Sequence, residues 1–311
     1  AICGILTVGL VVYRNGGIFT YYGDYNCQQI AFYMHAHELV TSGQIGWDWN
    51  TDLGVNFIGA YSFYLLFSPF FWLTLPFETS MVPYLMAPLF VLKFITCAVT
   101  AYFYVARFVK DKRFAVIGGL LYAFSGYCIY NLFFNHFLDV VAFFPLLLIG
   151  LEMLITEEKH GPFAAAVALN AIVNYWFFIG EVVFTVLYFF IRITDKNISH
   201  KLRAFFFVAL ESILGLLISA VVVLPSILAI TENPRTGVDN FINGWNLWLY
   251  YSEQRIPAII ASFFFPPDIP ARPVFFPGAE VKWSSLGGWL PLFSMVGVFT
   301  FFSQRKNHWL K

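Results

Sequence analysis

The sequence predicts an all-α polytopic membrane protein, and composition is the first reason. Of the 311 residues, 59% are hydrophobic and 12% are charged, whereas soluble chains carry roughly a quarter charged residues. The chain holds 38 Phe, 17 Tyr and 9 Trp, as expected when hydrocarbon is the main solvent. Acidic and basic residues balance at 18 each, which argues against a nucleic-acid partner because phosphate-binding domains have a basic excess.

Apolar stretches of about 20 residues, the length that crosses a bilayer, define the spans. The first run, residues 1–13, is shorter, and we interpret it as the outer end of a truncated first helix, with a cleaved signal peptide as the alternative. Residues 61–77 contain Pro69 and Pro76 and are predicted to be interfacial or re-entrant. Further membrane-spanning stretches are predicted at residues 83–106, 114–130, 137–155, 163–193, 205–230 and 286–303.

The stretch 163–193 is too long for a single span. Its residues would measure about 46 Å as one helix, and Asn170, Asn174, Gly180 and Glu181 interrupt it. We therefore predict a hairpin of two short helices with Glu181 at its tip. This brings the total to about eight transmembrane helices.

The placement of Lys and Arg supports this topology. With the hairpin counted as two spans, most basic residues fall in connections on one side, which the positive-inside rule assigns to the cytoplasm. The other side then holds two large extracytoplasmic loops, residues 14–82 and 231–285. The whole chain, 1–311, is predicted to be one transmembrane domain, with a helical bundle at 83–230 and a cytoplasmic tail at 304–311.

The outer loops carry the candidate functional residues, and Asp24 is the first of them. It follows the first helix by about ten residues, near the membrane surface, where partial desolvation raises the pKa of a carboxylate towards that of a useful general base. The alternative is that Asp24 caps a helix over residues 26–40. Gln28 belongs to the same polar motif and is a candidate substrate-binding residue.

A second polar cluster contains Asp48, Asp52 and Asn56. Glycines and asparagines around them predict a loop, so solvated loop carboxylates are the default interpretation. Carboxylates and amides also hold sugar hydroxyls or a divalent ion, which keeps a substrate role open. His35 and His37 are two residues apart and diverge on a helix, which disfavours a metal shared between them.

Ionisable residues inside spans are costly and are functional-site hypotheses by default. Lys93, about 15 Å into its span, is predicted to bind an anion such as a lipid phosphate, with snorkelling to an interface as the alternative. His136, Asp139 and Glu181 are predicted to face the same outer cavity, or else to cap helices. Arg235 is predicted to clamp a phosphate, and a surface salt bridge is its alternative.

The order of several short motifs resembles that of a known family. Asp24 and Gln28 are followed by Gly46-Trp47, Gly54-Val55-Asn56, Ser68-Pro69, Leu92-Lys93, Phe143-Phe144-Pro145-Leu146-Leu147 with Glu152, and Leu224-Pro225 before Arg235. In this order they resemble the bacterial YfhO family of membrane proteins over most of the chain.

The resemblance implies a glycosyltransferase of the GT-C architecture in the bacterial cell membrane, with its active site facing outside. Its donor would be a sugar linked to polyprenyl phosphate. Its acceptor would be a cell-envelope polymer such as lipoteichoic acid, or a glycolipid, and membrane lipid would be a further partner. Asp24 matches the family's loop aspartate in position. Family members are longer, so we interpret the chain as a fragment.

These observations combine into a mechanistic hypothesis of inverting sugar transfer. Asp24 accepts the proton of an acceptor hydroxyl as that oxygen attacks the anomeric carbon, while Lys93 and Arg235 stabilise the departing phosphate. A divalent metal held by Asp48, Asp52 or His136 is the alternative for that last role, and cofactors are otherwise unknown. The alternative functions are a transporter or flippase of a lipid-linked envelope precursor, and a non-catalytic assembly subunit.

Overall fold

The computed structural model describes residues 1–195, 198, 200–231, 255–264, 289 and 294–303. Helices dominate them, because a backbone in hydrocarbon has to satisfy its polar groups within its own segment. Two short strands, β1 (Trp47–Asp48) and β2 (Val55–Asn56), pair antiparallel. The α-helices are α1 (Ile2–Arg14), α2 (Ile30–Ser42), α3 (Phe57–Tyr61), α4 (Pro69–Trp72), α5 (Val82–Val105), α6 (Lys112–Ala123), α7 (Gly126–Tyr130), α8 (Phe137–Glu157), α9 (Pro162–Val173), α10 (Tyr175–Arg192), α11 (Lys201–Thr231), α12 (Arg255–Ala261) and α13 (Ser294–Ser303).

Five helical segments of the described chain are long and apolar enough to cross a membrane, which confirms the predicted fold class. They are Thr79–Val105, Lys112–Phe133, Phe137–Glu157, Tyr175–Arg192 and Lys201–Thr231. Shorter apolar helices are Ile2–Arg14, Phe57–Leu66 and Pro162–Val173. Of the predicted last span, 286–303, only Trp289 and α13 lie within the described residues.

The predicted hairpin of two helices is present, but its tip is Asn174 and not Glu181. One residue separates α9 from α10, and its backbone is extended, with φ −159° and ψ 97°. The Oδ1 atom of Asn174 accepts hydrogen bonds from the N–H groups of Trp176 and Phe177 at 3.2 and 3.1 Å. An asparagine cap satisfies two otherwise free donors at a helix start, which fixes the turn here and leaves Glu181 inside α10.

A buried ion pair sets the direction of α10. Arg192, at the end of α10, donates to both carboxylate oxygens of Glu152, near the end of α8, at 2.6 and 2.8 Å. Both side chains are buried, and the Tyr188 hydroxyl donates a further bond to Glu152 at 2.6 Å. The helices α8 and α10 therefore run parallel, and α9, which connects them, runs antiparallel to both.

The end of the bundle that holds this ion pair is here called the basic end. It comprises the connections 106–111, 158–161 and 193–195, and an Arg–Glu pair joins the first of them to the end of α8. Arg107, Lys110 and Lys159 lie in the first two connections, and Arg192 directly precedes the third, as the sequence-based topology predicts for the cytoplasmic side.

The opposite end of the bundle is here called the loop end. It holds residues 15–81, the turn 131–136 and the hairpin tip at Asn174. The side-chain amide of Asn174 donates to the carbonyl of Phe63 at 3.0 Å, so the hairpin tip contacts the long segment between α1 and α5. The candidate functional residues of that segment therefore lie at one end of the bundle.

Residues 61–77, predicted to be interfacial or re-entrant, form short helices that bury apolar side chains. A π-helical turn, Ser62–Leu66, leads from α3 towards α4. Pro69 opens α4, and the hydroxyl of Ser68 caps it by accepting the Phe70 N–H at 3.2 Å. Proline suits a first helical position because its missing N–H has no partner there anyway. The turn brings Phe70 into the core at the loop end.

The short helix α9 is held between α8 and α11 through glycines. A Cβ atom on Gly150 would lie 2.8 Å from the α9 backbone, and one on Gly215 would lie 2.6 Å from the carbonyl oxygen of Ala164. Such close approach is typical of helices that pack in membranes. Glu211 of α11 accepts the N–H groups of Gly161 and Ala164 at 2.9 and 3.1 Å, so a neighbouring helix caps α9.

The buried pair at the basic end yields a stability prediction. Glu152→Ala leaves Arg192 buried without its carboxylate, which should lower the stability by about 3–5 kcal/mol. The expected result is a clear drop in Tm, measured by thermal unfolding of the detergent-purified protein. Glu157→Ala is the matched control, because Glu157 and its partners Arg107 and Lys159 are partly exposed and such pairs contribute at most about 1 kcal/mol. Equal losses in the two variants would contradict the prediction.

Candidate functional site

Asp24 lies exposed at the loop end. It directly precedes a π-helical turn, Tyr25–Gln29, that continues into α2. A helix therefore begins where the alternative interpretation placed one, but the Asp24 side chain makes no capping hydrogen bond. Its carboxylate thus remains accessible to a ligand.

The residue after Asp24 anchors it to the bundle. The side chain of Tyr25 is fully buried, with its ring centroid 5.2 Å from that of Phe19 and 5.6 Å from that of Phe90. Phe90 precedes Lys93 by three residues, or about one turn of α5. Asp24 is therefore held beside the part of α5 that carries Lys93.

Lys93 is fully buried, and its ammonium binds groups of the protein. Nζ pairs with Asp139 and donates to Oδ1 and O of Asn135 at 2.7 and 3.1 Å. The ring centroid of Phe70 lies 5.3 Å from Nζ, close enough for a cation–π contact. All three donors of the ammonium are used inside the chain. A contact between Lys93 and a lipid phosphate stays a prediction, and it would require Nζ to leave these partners.

His136 connects this cluster to the helix that begins beside Asp24. Its Nδ1 lies 3.4 Å from Oε1 of Gln29, and its ring packs edge-on against Phe63 with centroids 4.8 Å apart. Burial, together with the charge of Lys93, lowers the pKa of His136 to about 3, so the ring is neutral at pH 7. The Nε2 atom is buried and has no hydrogen-bond partner in the described part of the chain.

Asp48 is buried, which corrects the expectation of a solvated loop carboxylate. Its Oδ2 accepts the Thr51 hydroxyl at 2.6 Å and lies 2.8 Å from Nε2 of His35, while Oδ1 accepts the N–H of Asn50 at 2.9 Å. Burial alone would raise the pKa of Asp48, but these hydrogen bonds outweigh it and lower the pKa below its usual value. Thr51 also bonds the Tyr61 hydroxyl at 2.8 Å, so Asp48 ties β1 to α2 and α3.

Asp52, between the two strands, and Asn56, the last residue of β2, are in contrast exposed. Residues 52–54 have positive φ angles of 47°, 67° and 116°, a conformation that L-residues adopt only at a cost. The indole rings of Trp47 and Trp49 are 58% and 75% exposed, with centroids 5.7 Å apart. The loop therefore presents aromatic, carboxylate and amide groups together.

The remaining predicted site residues are dispersed. Gln28 is half-buried, and its Oε1 accepts a hydrogen bond from Nε2 of Gln29 at 3.2 Å. Glu181 is buried inside α10, and Arg235 lies outside the described residues. Among the residues that the structure describes, no three His, Cys, Asp or Glu side chains cluster as metal ligands would.

Sequence reasoning missed Asn135 and Gln29. Asn135 supplies two of the bonds that hold Lys93, and Gln29 contacts His136. The available signal was the density of polar residues in the otherwise aromatic run 131–139, since polar groups at membrane depth almost always have partners in the protein.

The helices show that this is an α-helical polytopic membrane protein. At its loop end, a polar surface loop and a buried charged cluster occur together. The sequence matches the family model described as "Bacterial membrane protein YfhO" over residues 1–260. The chain therefore belongs to the YfhO family, as the order of its short motifs predicts. No curated protein and no solved structure matches it.

The Lys93–Asp139 pair yields a double-mutant prediction. Lys93→Met leaves Asp139 buried without its cation, and the expected loss of stability is about 3–5 kcal/mol. The double variant Lys93→Met, Asp139→Leu removes both charges and should recover most of that loss. Thermal unfolding of the three proteins in the same detergent measures the coupling. Additive losses in the double variant would mean that the two side chains do not stabilise each other.

The lowered pKa of Asp48 predicts that the strand-paired loop is acid-sensitive. A depressed pKa contributes stability above the unfolded value, about 3.9, and that contribution is lost as the pH falls through the folded value. We expect the fluorescence of Trp47 and Trp49 to change reversibly below about pH 4. The same transition should be absent from Asp48→Asn, provided that near-ultraviolet circular dichroism shows the rest of the variant folded. A transition shared by both proteins would assign it to another group.

Proposed function

We propose that this protein is a membrane glycosyltransferase that moves a sugar from a polyprenyl-phosphate carrier to a cell-envelope acceptor, such as lipoteichoic acid, on the outer face of the bacterial membrane. The observation that carries the proposal is the setting of Asp24. Its carboxylate is exposed, makes no capping bond, and is anchored by the buried Tyr25 beside the charged core of the bundle. Membership of the YfhO family supports a role of this kind.

In the proposed reaction Asp24 acts as general base. The acceptor hydroxyl gives its proton to the Asp24 carboxylate as its oxygen forms a bond to the anomeric carbon. The bond from that carbon to the carrier phosphate breaks, and its electron pair leaves with the polyprenyl phosphate. Asp24 lies at the surface where a lipid-linked donor and a polymeric acceptor can both arrive, and a positioned base is what such a step requires.

The leaving phosphate needs positive charge near it, because charge develops there as the bond breaks. Arg235 is the proposed contact, as its planar fork suits a phosphate. For Lys93 the proposal is a positioning role in the described conformation, since its donors hold Asn135 and Asp139. It would bind phosphate only after exchanging Asp139 for it.

The sugar is proposed to meet the exposed polar groups of the loop end. Gln28, Asp52 and Asn56 can exchange hydrogen bonds with sugar hydroxyls, and all three are at least partly exposed. Asp48 is proposed to hold the loop in place and not to bind the sugar itself, because its oxygens already accept hydrogen bonds from the loop. His136 is neutral, and its buried Nε2, which has no partner among the described residues, is proposed as a further group for the sugar.

Replacement of Asp24 tests the base assignment. Asp24→Asn should lower sugar transfer by about 10²–10⁴-fold, the usual contribution of a general base, without changing expression or Tm. The assay uses the full chain in proteoliposomes with a polyprenyl-phosphate hexose or aminosugar and lipoteichoic acid, and counts label in the polymer. Glu38→Gln, on the exposed face of α2, is the matched control and should transfer normally.

The outcomes separate the alternative functions. Transfer by Asp24→Asn at the wild-type rate would refute the base assignment. Movement of the labelled lipid across the vesicle membrane without any glycosylated product would favour a transporter or flippase. If neither transfer nor movement occurred in the wild type with any donor, while envelope assembly still required the protein in cells, a non-catalytic subunit would be favoured.

A further inference from the structure

Glu181 differs from the other buried carboxyl groups of the bundle. It is 7% exposed, and neither Oε1 nor Oε2 has a hydrogen-bond partner in the described chain. It also has no ion pair among those that the structure gives for these residues. Within the described residues, Glu181 therefore lies in a membrane-spanning helix without a group that would stabilise a negative charge.

The three other buried carboxyl groups in the described helices of the bundle all have a cation or hydrogen-bond donors as partners. Asp139 pairs with Lys93, and Glu152 accepts two bonds from Arg192. Glu211 accepts backbone N–H groups at the start of α9. These three carboxyl groups have partners, which makes the exception at Glu181 informative.

Two hydroxyl groups near Glu181 bond backbone carbonyls and not its carboxyl group. Thr185, one turn further along α10, donates to the backbone oxygen of Glu181 at 2.7 Å. Tyr122 of α6 lies within electrostatic reach of Glu181, but its hydroxyl donates to the carbonyl of Val141 at 2.9 Å. Among the described residues, Tyr122 is the titratable group with an electrostatic interaction with Glu181. Lys93 is paired with Asp139, and Arg192 is paired with Glu152.

An isolated ionised carboxylate at this depth would cost far more than a neutral acid, because the Born penalty of a bare charge in an apolar medium is large. The neutral acid loses only the smaller penalty of its unmade hydrogen bonds. Glutamine would have nearly the same shape and would be neutral permanently. What distinguishes glutamate from glutamine is that it can release and rebind a proton.

We propose that Glu181 is a proton-binding site in the loop half of α10, occupied by a proton at neutral pH. The residue follows the hairpin tip at Asn174 by seven positions, or about 10 Å along the helix. Glu181 is therefore proposed to exchange its proton with the loop end, where the hairpin tip at Asn174 contacts Phe63. This assignment is independent of sugar transfer.

Infrared difference spectroscopy tests the site directly. The full chain in lipid nanodiscs is compared with Glu181→Gln at neutral pH, and the expected difference is the loss of one carboxylic-acid C=O stretching band. The control Glu38→Gln should instead lose carboxylate bands only, because Glu38 is exposed. Loss of carboxylate bands in Glu181→Gln would show an ionised side chain and overturn the proposal.

Exchange is tested by titration of the same acid band. The band should weaken as the pH rises and return on acidification, because a proton-binding site exchanges its proton with the solution. A band that stays constant up to about pH 10, where an ordinary carboxyl group is long ionised, would mean a permanently neutral acid and would overturn the proposal.

Chemical labelling provides a test on the wild-type protein, so it does not depend on whether a variant folds. With dicyclohexylcarbodiimide, the acid proton of Glu181 moves to a carbodiimide nitrogen while a carboxyl oxygen bonds the central carbon, and the adduct rearranges to a stable N-acylurea. Peptide mapping should find the adduct on Glu181 and not on Glu152, whose carboxylate is paired with Arg192. Labelling of both residues, or of Glu152 alone, would contradict the distinction between them.

Discussion

The structure depends on one constraint, that charged groups inside a membrane need partners from the same chain. Lys93 and Asp139 join α5 to α8, and Glu152 and Arg192 join α8 to α10. Glu211 joins α11 to the start of α9. Each contact connects helices that are separate in sequence, so together they determine which helices are neighbours. Apolar packing alone would leave that choice open, because lipid tails are as apolar as the helices.

The same constraint positions the candidate site. The ammonium of Lys93 holds Asn135, and the next residue, His136, contacts Gln29 on the helix that begins beside Asp24. Tyr25 adds an aromatic contact to α5. A surface carboxylate is thus connected to a charge at membrane depth through a few direct contacts. If the proposed chemistry takes place at Asp24, its precision rests on this buried support.

Much of the fold could be predicted from the sequence because hydropathy acts locally. The length of the stretch 163–193 was enough to predict two helices, yet the tip was misplaced because Asn174 and Glu181 both interrupt an apolar run. Only the capping contacts to the following backbone distinguish them. The environment of a candidate residue was harder to predict, since its partners are distant in sequence.

Asp48 and Lys93 show why the site was only partly predictable. Asp48 looked like a solvated loop residue because its partner His35 lies 13 residues earlier, on the helix α2. Lys93 was predicted to bind an anion such as a lipid phosphate, and in the structure its partner is the carboxylate of Asp139. Sequence patterns reveal that a charge needs a partner, whereas three-dimensional proximity decides which partner it finds. Arg235 lies outside the described residues, so its predicted phosphate contact is untested.

The order of Lys93 and Asp139 along the chain affects how the protein is inserted into the membrane during synthesis. Lys93 emerges from the ribosome well before Asp139, and a lone lysine at mid-membrane costs about 2.5–3.5 kcal/mol on insertion. Until α8 is synthesised, α5 therefore has no companion for its cation in the lipid. The two helices are best released into the bilayer together, which makes the segment from α5 to α8 a single unit of biogenesis.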